Sequence, residues 1–271
     1  MSTYPLVSIR DTEVRGLKSQ IVEGMEYRIY VALPEDYSSS ADRYPALYLL
    51  DAWAWFGTVV EAYRMLRLTN LVPRLVLIGI SHAGKSIQDW VFCRARDFTP
   101  TRLSTDEVTA KHGAFFASIT PVSGGAPQFL RFIGDELLPF AESEYRVLPS
   151  DRGLFGYSYG GLFVTYALFN APQFFQRYFI GSAANWWDDY VVFADEARYA
   201  ADHAALPARV YASIGGQEGD LGIQTWKRLR DALEGRNYDG LQLTTALFDG
   251  EDHFSCDALA HTHAMQALYR E

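Results

Sequence analysis

The sequence predicts an α/β fold, with a mostly parallel central sheet of about eight strands and helices on both faces. Short apolar runs of strand length recur along the chain, and amphipathic runs of helix length separate them. No internal repeat or low-complexity tract interrupts the alternation. A length of 271 residues with 49% hydrophobic composition is enough for one large core, and no linker is visible, so residues 1–271 read as one domain.

Taken in order, "EYRIYVALP" (26–34) alternates apolar and polar side chains, as an antiparallel edge strand does. "DYSSSADRYP" (36–45) is the only polar cluster and reads as a surface loop. "YPALYLLDA" (44–52) and "PRLVLIGIS" (73–81) are nearly continuous apolar runs, as buried parallel strands are. Between them, "WFGTVVEAYRMLR" (55–67) has helical spacing. Residues 82–123 form a long connection, and long loops in compact domains are often functional. An amphipathic helix follows at 126–145, which Pro139 should kink or divide. From there strands at 151–158, 176–184, 208–216 and 241–250 alternate with helices at 159–170, 188–204, 222–236 and 255–270. Ligands of such sheets bind at the carboxyl ends of the strands.

Composition narrows the class of function. The formal net charge is −9 and no basic patch is evident, which argues against a nucleic-acid or membrane-surface partner. No run of about 18 apolar residues is present, so no transmembrane helix is expected. The opening "MSTYPLVSIRDTEVRG" lacks a basic start and an apolar core, so a cytoplasmic location is the expectation. Cys93 and Cys256 form neither a disulfide framework nor a metal-site spacing and read as free thiols. His261 and His263 lie two apart on a helix and face different ways, a poor metal pair. No metal or other cofactor is expected, and the oligomeric state is left open.

The chemistry centres on "LFGYSYGGLF" (154–163), in which Gly156-Tyr157-Ser158-Tyr159-Gly160 matches G-x-S-x-G. On a sharp strand-to-helix turn, the residues two before and two after the serine approach closely, where glycine-sized groups fit. The hydroxyl is then presented above the sheet edge, with a helix N-terminus pointing at the site. The pentapeptide alone is common enough to be a plain glycine turn. A serine also needs a base, and the base an orienting acid. Both should follow on later strand-end loops, acid first. "GQEGD" after 208–216 carries Glu218 and Asp220, and "EDHFS" after 241–250 carries His253. Glu218, nearer the strand end, is the preferred acid. Asp220 is the alternative unless it caps the next helix. Asp252 reads as a turn residue. Among the remaining histidines, His203 reads as surface helix, His112 has no evident partner, and His82 serves either the site or the structure. The oxyanion hole should combine the amide of Tyr159 with that of Ala52 or Trp53, after the 44–52 strand.

With these residues placed, the chain resembles the esterase D-like putative esterase group of the α/β-hydrolases over about residues 26–265. That group includes siderophore trilactone esterases, feruloyl esterases, S-formylglutathione hydrolases and mycolyltransferases. "YPALYLLDAWAWF" is similar to the group's oxyanion-loop strand, with Ala52 where glycine is usual. "RARDFTPT" (94–101) resembles the R-x-R-D-x-T-P segment of its siderophore-esterase-like members. "FLRFIGDELLPFAESEYRV" resembles the helix before the elbow strand, "SAANWW" (182–187) the S-P-S-x-W-W segment, and "GEDHFS" the histidine loop. The resemblance implies an α/β-hydrolase with Ser158, His253 and Glu218 as catalytic residues. It further implies a small-molecule ester substrate, with a siderophore trilactone favoured.

Arg94 and Arg96 are then expected either to meet an anionic substrate by charge-assisted hydrogen bonds or to pair internally with Asp97. Trp186 and Trp187 are expected either to wall the substrate site or to lie in the core. A thioesterase or an acyltransferase would use the same three residues, and a non-catalytic ligand-binding member would not need them.

Overall fold

The apolar runs assemble into one eight-stranded sheet in a computed structural model that describes residues 8–84 and 86–270. Residues 1–7, part of the opening segment read for a leader, lie outside the described residues. The strands are β1 (Thr12–Lys18), β2 (Glu26–Ala32), β3 (Tyr44–Leu49), β4 (Val76–His82), β5 (Val147–Tyr157), β6 (Arg177–Gly181), β7 (Arg209–Gly215) and β8 (Gln242–Phe248). Their order in space is β1-β2-β4-β3-β5-β6-β7-β8; the β1–β2 and β2–β4 pairs are antiparallel and the rest parallel. All seven residues of β4 are buried, as its continuous apolar sequence requires in a sheet covered on both faces.

Successive strand residues point to opposite faces. Tyr48, Ile78 and Leu154 join a core with Phe163 and Leu229, whereas Leu47, Leu49, Leu77 and Phe155 join a second core on the other face. The second core is closed by α1 (Ala52–Leu68) and by the chain's last helix at Cys256–Tyr269.

Two parts depart from the sequence reading. The strand over 26–34 is not the edge, because β1 pairs outside it from Thr12↔Ala32 to Lys18↔Glu26. "TEVRGLK" has no apolar run, and most of its side chains are exposed, as suits a charged edge strand. The long connection 82–123 is mostly helical, with α2 (Ile87–Phe98), α3 (Thr105–His112) and α4 (Ala114–Ile119). α2 and α3 open with capping boxes, Ser86 with Asp89 and Ser104 with Glu107. That S-x-x-D/E spacing was readable in the sequence.

The 126–145 helix is divided as expected into α5 (Ala126–Phe132) and α6 (Leu138–Glu144). A π-helical turn, Ile133–Leu137, joins them just before Pro139, which has no N–H to offer the usual carbonyl. The remaining helices are α7 (Tyr159–Asn170), α8 (Trp187–Asp202), α9 (Gly219–Arg236) and α10 (Cys256–Tyr269). Among the described residues no helix is long and apolar enough to cross a membrane.

Candidate active site

β5 ends in Tyr157 and α7 begins at Tyr159, leaving Ser158 alone at the turn with φ 60° and ψ −119°. An L-residue is rarely found there, and strain of this kind concentrates at functional sites. The surroundings hold it in place: Ser158 N–H donates to the Gly181 carbonyl at 2.9 Å, and its own carbonyl accepts from Leu162 and Ala184. The glycines are not equivalent. A Cβ on Gly156 would lie 2.3 Å from the Gly160 carbonyl oxygen, and one on Gly161 would lie 2.7 Å from that of Gly181. A Cβ on Gly160 would meet nothing nearer than Asp51 Oδ2 at 3.4 Å, so of the motif's two glycines only the first is sterically demanded.

The loops after β7 and β8 are tied together. Gly216 N–H donates to Phe248 and Gln217 N–H to Glu251, each at 2.9 Å. This sets Glu218 against His253, whose Nδ1 lies 2.7 Å from Glu218 Oε2. The other carboxylate oxygen accepts from the Ser182 hydroxyl at 2.5 Å and from Gly215 N–H at 2.9 Å. Burial pushes the Glu218 pKa upward, but hydrogen bonds from His253 and Ser182 outweigh it and hold the carboxyl below its ordinary value. The Tyr157 hydroxyl donates to the His253 carbonyl at 2.9 Å and lies 2.7 Å from Ser182 Oγ. The residue before the serine therefore braces the histidine loop, a role with no local sequence signal, since the two are 96 residues apart.

Asp220 is exposed in the first turn of α9, and the carboxylate hydrogen-bonded to His253 is that of Glu218. Asp252 accepts from the Phe254 and Ser255 amides and forms the turn into α10. The other histidines sit elsewhere: His82 is buried 3.0 Å from Asp97, His203 stacks on Tyr199, His261 is buried beside Asp257, and His263 packs on Phe248. His112 packs between Trp186 and Trp187.

Ala52 and Trp53 open α1, and Tyr159 opens α7. First-turn amides have no acceptor within their own helix and are free to face a ligand. Asp51, at φ 54° and ψ 35°, turns the chain from β3 into α1, and its carboxylate abuts Gly160 in the first turn of α7. The two helix N-termini are thus neighbours.

Ser158, Glu218, His253, Arg94 and Trp186 all line one cleft of about 540 Å³, whose remaining wall is largely apolar and includes Phe116. Phe254 and Phe115, at 82% and 67% exposure, stand at its rim. The arginine pair divides. Arg94 lines the cleft and holds Asp51, whereas Arg96 lies outside the lining and donates from Nε to Asp97 at 2.6 Å. The tryptophans divide as well. Trp186 forms cleft wall against Phe116, while Trp187 is fully buried with its indole N–H on Thr101.

A strained serine on a strand-to-helix turn, with a histidine–carboxylate pair opening on the same cleft, places the chain in a known class. It belongs to the Putative esterase family, whose model matches residues 19–256. Among its relatives, ferri-bacillibactin esterase BesA of Bacillus subtilis is 34% identical over 185 residues, 67% of this chain and 61% of that protein. The siderophore enterobactin esterase of Emericella nidulans is 33% identical over 210 residues, 73% of this chain and 68% of that protein. The chain thus spans only about three fifths of the first of these relatives. The structure of BES protein from Bacillus cereus superposes with a TM-score of 0.83 at 25% identity, covering 100% of this chain and 99% of that one.

Proposed function

We propose that this protein is a serine esterase that cleaves carboxylic ester bonds through an acyl-enzyme. The observation that carries the reading is Ser158 at a positive-φ elbow, sharing a cleft with a His253 whose Nδ1 is fixed 2.7 Å from Glu218. With the Nδ1 proton on the Glu218 side, Nε2 is left free to accept the Ser158 proton. Ser158 Oγ then attacks the ester carbonyl. The developing oxyanion is met by the amide of Tyr159 and that of Ala52 or Trp53. The C–O bond breaks as His253 returns its proton to the leaving alcohol. Water, deprotonated by His253, releases the acid and restores the serine.

For the substrate we propose a siderophore trilactone, because the relatives named above are a ferri-bacillibactin esterase and a siderophore enterobactin esterase. Trp186 and the apolar cleft wall supply a surface for ring-bearing groups. A cytoplasmic location belongs to the same proposal and is supported by two free thiols, Cys93 and Cys256. The test is incubation with an enterobactin-like trilactone, iron-free and ferric, followed by chromatography. Ring-opened products from the wild type and none from Ser158→Ala are expected. Equal product from Ser158→Ala would remove the serine mechanism, and no product from either ligand would remove the trilactone.

A further inference from the structure

We propose that Arg94 is a positioning residue for the oxyanion hole, acting through Asp51, and is not an anion-binding side chain of the cleft. The inference rests on the reading of Ser158 as nucleophile. Arg94 grips both carboxylate oxygens of Asp51, Nε to Oδ1 and Nη2 to Oδ2, each at 3.0 Å. A third donor, Trp90 Nε1, reaches Oδ1 at 2.8 Å. Trp90 and Arg94 lie four apart on α2, so one face of that helix supplies all three bonds. The carboxylate is 1% exposed and belongs to the residue immediately before Ala52.

The same guanidinium lies 5.4 Å from the ring of Tyr159, whose amide is the other proposed donor. Arg94 therefore holds the side chain of the residue before one proposed donor and packs on the ring of the other. It fixes the left-handed turn at Asp51 that aims the first amides of α1. It also neutralises a buried carboxylate beside the place where negative charge develops. An unpaired carboxylate there would oppose the transition state in a low-dielectric setting. A planar fork does this and an ammonium does not do it as well.

The test is steady-state kinetics of the full chain on a neutral p-nitrophenyl ester and on p-nitrophenyl hemisuccinate, normalised to sites titrated with a fluorophosphonate. Arg94→Gln is expected to lower kcat about 100-fold on both esters with KM within about twofold, the scale of losing one oxyanion donor. Arg94→Lys is expected to fall between Arg94→Gln and wild type. Adding Asp51→Asn to Arg94→Gln removes the stranded charge and is expected to recover kcat by about tenfold. A role in bulk packing would not produce that rescue.

Wild-type kcat in Arg94→Gln, with KM raised on the hemisuccinate alone, would overturn the inference in favour of anion binding. A fall in kcat that Asp51→Asn does not relieve would also overturn it. Should Arg94→Gln fail to fold, Trp90→Phe removes one N–H donor and keeps a ring. A fall in kcat of about fivefold at constant KM is then expected, and unchanged kcat overturns the inference. Turnover retained by Ser158→Ala would instead strike the esterase mechanism itself, so the two failures are distinguishable.

Discussion

Replacing Glu218 by Gln changes one atom and should nearly abolish turnover, because the surrounding donors dictate which way the amide points. Oε1 accepts from the Ser182 hydroxyl at 2.5 Å and from Gly215 N–H at 2.9 Å, while Oε2 faces His253 Nδ1 at 2.7 Å. With its carbonyl oxygen at the Oε1 place, the Gln side chain keeps both donors. Reversing it would set an NH₂ against the Gly215 N–H, a donor that cannot turn, and forfeit that hydrogen bond, worth about 1 kcal/mol, besides the cost of leaving a part-buried donor unpaired. The NH₂ therefore faces Nδ1 and donates to it. The imidazole proton moves to Nε2, and His253 can no longer accept from Ser158. A wrong tautomer of this kind costs about 10⁴-fold in kcat, or about 5 kcal/mol of barrier. The assay is p-nitrophenyl butyrate hydrolysis at neutral pH, alongside thermal unfolding to confirm that the isosteric variant is folded. A loss of less than tenfold in a folded variant would refute the reasoning, since neither the tautomer nor the acid would then matter.

Gly156→Ala places a methyl 2.3 Å from the Gly160 carbonyl oxygen and is expected to cost about 1–3 kcal/mol or more, read as a lowered unfolding midpoint with lost activity. Gly160→Ala, with no contact under 3.4 Å, should cost under about 1 kcal/mol in the same denaturant titration. Trp187→Ala should lose about 3–5 kcal/mol from a fully buried site. Trp186→Ala should instead raise KM for aromatic esters with a smaller change in midpoint. Stability should also fall in acid. Burial raises the pKa of Asp97, but hydrogen bonds from His82 and Arg96 outweigh it and leave the carboxyl depressed. A depressed carboxyl contributes stability above its unfolded pKa of about 3.9 and loses it as pH falls through the folded value. The slope of unfolding free energy against pH below that range should flatten in Asp97→Asn.

Much of this architecture was legible because it rests on local pattern. The apolar runs gave seven of the eight strands, and the helix after the serine was read at its observed bounds, Tyr159–Asn170. β1 escaped because an exposed edge strand needs no apolar face, and "TEVRGLK" has little of one. The three helices of 82–123 bury few apolar side chains and so carry no clear stripe; the capping serines Ser86 and Ser104 are the local signal for the first two. On α2, Arg94 and Asp97 share a face at i, i+3, so helix geometry by itself does not send Arg94 elsewhere. Arg96 takes Asp97, and Arg94 reaches Asp51, 43 residues away in sequence. Long-range pairing of that kind leaves no local trace. Glu218 could be preferred over Asp220 by its place at the strand end, but the hydrogen bonds that hold it come from β5, β6 and β7 neighbourhoods that only folding brings together. Trp186 and Trp187 are adjacent and chemically identical, and burial alone separates wall from core.

The proposed mechanism makes Ser158 the nucleophile of an ester hydrolase. Titration with a fluorophosphonate, followed by peptide mass spectrometry, tests it most directly. One phosphonate per chain on Ser158, with esterase activity falling in proportion to labelling, is the expected result. Labelling at another residue, or full activity in a chain fully phosphonylated at Ser158, would contradict it.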